Sequence, residues 1–439
     1  MLRGRLPSRV FQLLKQAGEL AKRTSVSAFV VGGFVRDLLL GQPNLDLDLV
    51  IEGDGIAYAR ALARAAKAEV KVHDRFETAV IVFPDGFKLD IATARTEHYE
   101  YPTALPTVQR SSIKEDLYRR DFTINTLAIR LNPSHFGELI DFYGGQRDLN
   151  ERTIRVLHSL SFVEDPTRVF RAIRFEQRFG FRLGTETLAL IKGAGEMDLF
   201  HRLSGSRLSD ELILLLSEEE PRKMIARLGE LNLLRFVHPA LKWSARLDAL
   251  LTAVPKVLNW YKRTSLNWPD RKVSVAGASS GFPGGLMDGW LVYFMVLMEV
   301  IPGKAVGEIL RRLKLPELHA EKIRVSRSSS TLLQRLARRS PLRPAEAYRM
   351  LVGLSDETLL FLMAKTRSES VKRHISAYLA TYRHVKQILT GTDLKVMGLK
   401  PGPIFKKILS QLLEARLNGE VQTEADERDL VKRIINAVA

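Results

Sequence analysis

The spacing of apolar residues changes character about a third of the way along the chain. Up to roughly residue 150 strand and helix periods alternate, and beyond that the pattern is almost wholly helical. Phe29-Val30-Val31 is a short apolar run that stops at Gly32-Gly33, which predicts a strand running into a turn. Val35 to Leu40 fits one or two helical turns. Leu45 to Ile51 alternates with period two, so Leu45, Leu47 and Leu49 are expected on a core face and Asp46 and Asp48 together on the other. A helix rich in alanine and arginine is predicted over Ile56 to Lys67, then strands at Ala79 to Phe83 and Lys88 to Ala94. Pro84-Asp85-Gly86 reads as a hairpin turn that pairs these two strands antiparallel. Thr96 to Lys114 has no period and contains Pro102 and Pro106, which predicts a long, mobile loop of the kind that carries function.

From Glu115 onward the period is helical, with one short strand expected at Glu138 to Phe142. Clear helices are predicted at Pro166 to Phe179, Arg207 to Ser217, Pro221 to Leu231 and Trp290 to Val300. Ala276 to Gly285 reads as a linker or surface loop. A turn-rich element at Gly391 to Pro403 precedes two amphipathic helices, the second near Glu424 to Val438. The class expected is therefore α+β: a small mixed or antiparallel sheet, followed by an all-α remainder. With 439 residues the chain exceeds one ordinary core, and roughly three or four packed units are expected.

Composition removes several classes. There is no cysteine, which excludes disulfides, thiolate zinc sites and cysteine nucleophiles and suits a cytoplasmic protein. No apolar run approaches the twenty or so residues of a membrane span, and the basic start is followed by the amphipathic stretch Val10 to Lys22 rather than an export signal. Charge adds a partner: 67 Lys and Arg against 50 Asp and Glu leave +17, an excess that favours a polyanion such as nucleic acid. A basic solvated surface or an anionic lipid would give the same count.

Candidate chemistry centres on Gly32-Gly33-x-x-Arg36-Asp37 followed by Asp46-x-Asp48. Two carboxylates on one strand face suit Mg²⁺, which takes oxygen ligands and keeps waters and phosphates. A glycine pair between strand and helix lets backbone approach a phosphate, and Arg36 offers a fork of donors to it. Asp90, on the strand Lys88 to Ala94, would complete the acidic group and could accept a hydroxyl proton. Taken singly, the glycines are also an ordinary turn, and Asp46-x-Asp48 also the polar face of an edge strand.

In order, these residues resemble the class II tRNA nucleotidyltransferase and bacterial poly(A) polymerase family of the polymerase-β superfamily. Gly32 to Asp37 with Asp46 and Asp48 is similar to its first motif, and Arg119-Arg120-Asp121-Phe122-Thr123-Ile124-Asn125 to its second, which contacts ribose and phosphates. Asp141-Phe142-Tyr143-Gly144-Gly145 with Asp148 is similar to the third, linking the catalytic head to the neck. Glu164-Asp165-x-x-Arg168 is similar to the fourth, whose Asp and Arg pair with the base edge; Arg171 joins the same nucleotide-binding set. The helix around Ser206 to Leu216 resembles the fifth, a buttress of the neck. The resemblance implies a catalytic head over 1–150, a nucleobase-reading neck over 151–220, a helical body over 221–330 and a tRNA-binding tail over 331–439. It also implies transfer of the terminal A, or all of CCA, from ATP and CTP to a tRNA held by its acceptor and TΨC stem. The resemblance of Ser161 to Leu183 to enzymes that divide the task, and a loop of full length, favour A alone. A poly(A) polymerase and a catalytically degenerate tRNA-binding protein are the rivals. No protein partner is inferred.

Two motifs keep a plainer reading. Asp165-Pro166 is also a helix N-cap followed by a first-turn proline, and Arg119-Arg120-Asp121 could be surface charge at the head of an apolar helix carrying Ile124, Leu127 and Ala128. Gly277-Ala278-Ser279-Ser280-Gly281 fits a hydrolase pattern but runs into Phe-Pro-Gly-Gly rather than a helix, and His73 lacks partners at ligand spacing. Arg311-Arg312, Arg338-Arg339, Lys372-Arg373 and Lys406-Lys407 suggest an RNA path only as a collective.

Overall fold

The computed structural model describes the chain apart from residues 1, 3, 99–106, 198–202, 266–286, 339–341 and 437–439. The predicted linker at 276–285, the Gly-x-Ser-x-Gly stretch and Arg339 lie outside the described residues. Two compact units divide it: Met1–Glu211 with Leu231–Phe236, and Leu212–Glu230 with Val237–Ala439.

The first unit is organised by a seven-stranded mixed sheet. Its strands are β1 (Ser27–Val31), β2 (Leu47–Glu52), β3 (Glu69–His73), β4 (Thr78–Val82), β5 (Lys88–Thr93), β8 (Ala128–Arg130) and β9 (Leu139–Ile140), in the spatial order β3-β4-β5-β2-β1-β8-β9. Every neighbouring pair is antiparallel except β2 with β5, which run parallel and set Asp48 opposite Asp90. The intervening β6 (Arg95–His98) and β7 (Thr107–Arg110) form a separate hairpin. Helices α1 (Ser8–Arg23) and α3 (Gly55–Ala66) pack on the sheet, α1 against β1 and α3 against β2 to β5. Short α2 (Gly33–Leu39) follows β1 directly, and α4 (Ile113–Tyr118) places Ile113 and Leu117 in a cluster with Phe29, Val31, Val50 and Ala128. Alternation in β2 then puts Asp48 on the same side as Val50, and Leu47, Leu49 and Ile51 on the other.

Several expectations need correction. β2 starts at Leu47, and Leu45 is 50% exposed, not in the core, because Asn44 Oδ1 accepts from the Asp46 amide at 2.8 Å and turns the chain before the strand begins. Arg119-Arg120-Asp121 does not head an apolar helix: α4 ends at Tyr118, a 3₁₀ turn covers Thr123–Asn125, and β8 follows. The sheet takes this segment because the Gly32 amide bonds the Leu127 carbonyl and β8 completes a ladder with β1. Within the predicted loop Thr96 to Lys114, 96–98 and 107–110 pair as strands and Ile113 opens α4, while 99–106, with Pro102 and Pro106, lie outside the described residues. Gly391 to Pro403 begins with a helical turn, Gly391–Val396.

Helices α5 (Gly145–Asn150), α6 (Ser161–Glu164), α7 (Thr167–Phe179), α8 (Thr185–Glu196) and α9 (Gly205–Leu216) carry the unit onward, with a two-strand parallel pair β10 (Thr153–Ile154) and β11 (Arg182–Leu183). At the start of α5, Gly144 has a positive φ of 77° and Asp141 accepts from the Gly145 and Gln146 amides at 2.8 and 2.9 Å. A Cβ on Gly145 would stand 2.5 Å from the Thr123 carbonyl oxygen, so backbone would have to shift. Gly145→Ala is expected to cost about 1–3 kcal/mol, read as a lower Tm; an unchanged melt would show that the loop relaxes freely.

In the second unit the helix Gly289–Glu299 is buried along its whole length, which matches a sequence that is apolar up to its final glutamate. Helix Ala245–Ser265 and helix Asp356–Lys365 pack on it, and its buried Glu299 meets Arg246, Lys365 and Arg327 at 3.1, 3.0 and 3.5 Å. The last helices, Pro403–Leu417 and Glu424–Asn436, close a cluster of Leu389, Leu394, Ile408, Leu412 and Val431. Among the described residues no helix is long and apolar enough to cross a membrane.

Candidate active site

A polar cavity of about 660 Å³ lies in the first unit, lined by Gly32, Gly33, Arg36, Asp37, Asp46, Asp48, Arg119, Arg120, Asp121, Asn125, Asp165, Arg168 and Arg171. Of the residues expected to act in catalysis or nucleotide binding, Asp90 alone is not in this lining; it sits across the β2/β5 register from Asp48.

The acidic end is held under electrostatic tension. Burial pushes the Asp48 carboxyl up, Arg120 partly offsets this, and Asp46 and Asp90 add to it, giving a value of about 6. Burial and Asp46 likewise raise Asp90. Mutually repelling oxygen donors of this kind are what a hard divalent cation relieves, so the residues fit one. Among the described residues no group of three or more metal-ligating side chains stands together. Asp46 and Asp48 would hold such an ion with the remaining positions left to water and phosphate.

The rest of the lining is a polar network whose members brace one another. Arg36 Nε and Nη2 donate to the two Asp37 oxygens at 2.7 and 2.9 Å, Nη1 donates to Asn125 Oδ1 at 2.6 Å, and the guanidinium lies 4.7 Å from the Phe179 ring centroid. Asn125 in turn donates to Asp121 at 2.8 Å, and Arg171 places Nε and Nη2 on the other Asp121 oxygen at 2.8 and 2.6 Å. At the opposite end, Asn44 donates to Asp37 at 2.7 Å and accepts from the Asp46 amide. An unbroken line of contacts thus runs from α7 to the turn that carries Asp46. Burial alone would raise Asp121, but Arg171 and Asn125 outweigh it and hold the carboxyl at about 2.

Asp116, fully buried, anchors the neighbouring arginines: Arg119 reaches it at 2.7 Å and Arg120 at 3.1 Å. Arg120 lies against Gly32, where a φ of 70° and a Cβ position 2.8 Å from Arg120 Nη1 leave room for no side chain. The Arg120 Nε is buried and has no hydrogen-bond partner among the described residues, although the residue lines the cavity.

On the helical side, Asp165 Oδ1 accepts from the amide and hydroxyl of Thr167, the first residue of α7, at 3.0 and 2.5 Å; Pro166 holds the N-cap position, one residue later than the sequence suggests. Its Oδ2 meets Arg207 at 2.7 Å. Arg168 is buried and donates to the Ser161 hydroxyl and the Arg119 carbonyl at 2.8 and 2.9 Å. Glu211 meets Arg171 and Arg174 at 3.3 and 3.7 Å. Arg174, Phe175, Arg178, Arg207 and Glu211 line the cavity but were not singled out from sequence. The arginines at 168, 171, 174 and 178 recur at close to helical period, a signal that could have found them; Arg207 and Glu211, four apart on α9, are a weaker one.

The third motif does not line the cavity. Asp148, fully buried, accepts from Thr123 at 2.6 Å and from Arg155 at 3.2 Å, tying the 3₁₀ turn and the residue after β10 to α5. His73 is exposed on edge strand β3. In the second unit Arg311, Arg373, Lys406 and Lys407 are exposed, whereas Arg312 bonds the Val237 carbonyl at 3.2 Å and Lys372 pairs with Glu369 at 2.8 Å.

A mixed sheet presenting paired carboxylates beside a glycine turn, backed by a helix bearing a row of arginines, is the architecture of the nucleotidyltransferase class. Comparison with known proteins narrows this. A family profile described as the poly A polymerase head domain matches residues 28–155, and one described as a probable RNA and SrmB-binding site of polymerase A matches 180–244. An A-adding tRNA nucleotidyltransferase of Geobacter sulfurreducens is 45% identical over 98% of this chain and 48% of its own length. Another, from Halalkalibacterium halodurans, is 34% identical over 97% of this chain and 92% of its own. The Thermotoga maritima CCA-adding enzyme, solved in complex with tRNA, superposes with a TM-score of 0.74 at 32% identity, covering 98% of this chain and 97% of that one. The chain belongs to the tRNA nucleotidyltransferase family, whose members work with a divalent metal. It spans about half the length of the Geobacter relative, 48%.

Proposed function

We propose that this chain adds the 3′-terminal adenosine to tRNA, taking ATP, releasing pyrophosphate and working with Mg²⁺. What carries the reading is a single cavity lined both by Asp46 and Asp48 and by the base-reading candidates Asp165 and Arg168. When bound, Mg²⁺ supplies charge neutralisation to the triphosphate and favours ionisation of the attacking 3′-hydroxyl. Arg120, whose buried Nε lacks a partner among the described residues, donates to a phosphate oxygen, and Arg119 flanks it. Asp90, held above the usual carboxylate range, is suited to take the hydroxyl proton.

Base choice rests on Asp165 and Arg168. A carboxylate accepts from an exocyclic amine, and a guanidinium donates to ring nitrogen or carbonyl oxygen, so adenine and cytosine fit where guanine and uracil do not. Two relatives named as A-adding, at 45% and 34% identity, support adenosine as the residue added. The exposed Arg311, Arg373, Lys406 and Lys407 of the helical unit supply dispersed cations for the acceptor and TΨC stem.

The deciding experiment incubates tRNA ending in the discriminator base, in C or in CC with labelled CTP or ATP separately. ATP incorporation onto the CC end alone supports the proposal. CTP incorporation onto the shortest end sinks the A-only reading, and long A tracts on unrelated RNA would make the chain a poly(A) polymerase. Within the site, Asp165→Ala is expected to change nucleotide preference by about tenfold or more, while losing only the roughly 1 kcal/mol of a helix cap. A lower Tm with unaltered preference would reduce Asp165 to that cap.

A further inference from the structure

Asp165 has little freedom left in this structure. One oxygen is taken by the Thr167 amide and hydroxyl at 3.0 and 2.5 Å, and the other by Arg207 Nη2 at 2.7 Å. Arg207 comes from α9, the element whose Glu211 braces Arg171 and Arg174 from the same side. The pair is only partly exposed, Arg207 at 28% and Asp165 at 16% of side-chain area, so its contact is not a freely solvated surface bridge. Both residues line the cavity.

A carboxylate oxygen has two lone-pair directions. With Arg207 on one of them, Oδ2 keeps the second for a base amine, and the plane of the carboxylate is fixed by donors on both oxygens. We infer that Arg207 is a specificity-determining positioning residue: it aims Asp165 at the amine of the incoming base and stops the carboxylate from turning out of the way of a carbonyl edge. This goes beyond a buttressing role for α9, which would affect all nucleotides alike. It rests on the assignment of base reading to Asp165.

The test measures kcat and KM for ATP, CTP, GTP and UTP on tRNA ending in CC, for Arg207→Ala, Arg207→Lys, Asp165→Ala and the Arg207→Ala/Asp165→Ala double variant. Arg207→Ala is expected to raise the KM for ATP and lower the preference for ATP over GTP by about tenfold, with kcat less affected. Arg207→Lys, which keeps the charge but not the fork, should recover part of the preference. In the double variant the loss should not exceed that of Asp165→Ala, since the arginine acts through the carboxylate. Equal loss for all four nucleotides, or additive losses in the double variant, overturns the inference. If Asp165→Ala erodes preference while Arg207→Ala does not, this inference alone fails; if neither does, the base-reading assignment fails with it. Should Arg207→Ala not fold, by its melting curve, the lysine variant and Arg207→Gln carry the same comparison.

Discussion

Asp48→Asn is expected to abolish nucleotide incorporation, by about a thousandfold or more, while tRNA binding stays within about twofold of the unaltered protein. Asparagine keeps the shape but removes a charge, and Asp46→Asn should behave alike. The structure adds a stability signature to the kinetic one. Asp48 is pushed up to about 6 from 3.8, so the folded state holds this proton more tightly than the unfolded state does. In metal-free protein, stability is therefore lost as pH rises from about 4 through about 6, to the extent of about 3 kcal/mol. The asparagine variant has no such group, and its Tm in chelator should fall less between pH 4 and pH 7. Mg²⁺ should raise the Tm of the unaltered protein at pH 7 and leave the variant nearly unmoved. Retained incorporation in Asp48→Asn would refute the catalytic role; a metal response in the variant equal to that of the unaltered protein would refute the ligand role.

The second large effect belongs to Asp121. Replacing it with alanine leaves Arg171 without its closest counter-charge and Asn125 and the Phe122 amide without their acceptor, bonded now at 2.8 and 2.9 Å. Removing one partner of a buried pair costs about 3–5 kcal/mol, and Glu211, 3.3 Å from Arg171, keeps this case near the lower end. The pH dependence has the opposite sign to that of Asp48. Asp121 is held at about 2, below its ordinary 3.8, so its contribution is present above about pH 4 and lost as pH falls towards 2. Denaturant unfolding of Asp121→Asn at pH 7 and pH 3 checks this: the deficit should be large at pH 7 and shrink in acid. Full stability at pH 7 would show that the pair is dispensable.

The parts of the architecture that could be read from sequence are those with enough length to show a period. β1, α3, α7 and the β4–β5 hairpin each carry several apolar residues at one spacing. β8, β9, β10 and β11 have two or three residues apiece, too few to establish alternation, and of these only β9 falls on an expected strand, Glu138 to Phe142. Ile124, Leu127 and Ala128 sit at helical spacing, yet the free edge of β1 offers this segment a ladder, and tertiary pairing outweighs local preference. At the cavity, the ordered motifs named most of the lining. They could not show that Arg36 would be clamped by Asp37 and Asn125, nor that Arg207 would find Asp165, because both depend on elements far apart in sequence meeting in space.

The line of contacts from Arg171 through Asp121, Asn125, Arg36, Asp37 and Asn44 to the Asp46 amide also bears on how such a protein can diverge over generations. Each interior member satisfies two neighbours, so a single replacement there strands polar groups on both sides, and only paired changes restore the fit. Arg207 stands at the rim with one contact into this region of the cavity and more than a quarter of its side chain in water. If Arg207 aims Asp165 as inferred, a lineage that drifts in its choice of base has an easier route through that residue than through the interior, and keeps Asp46 and Asp48 in place as it does so.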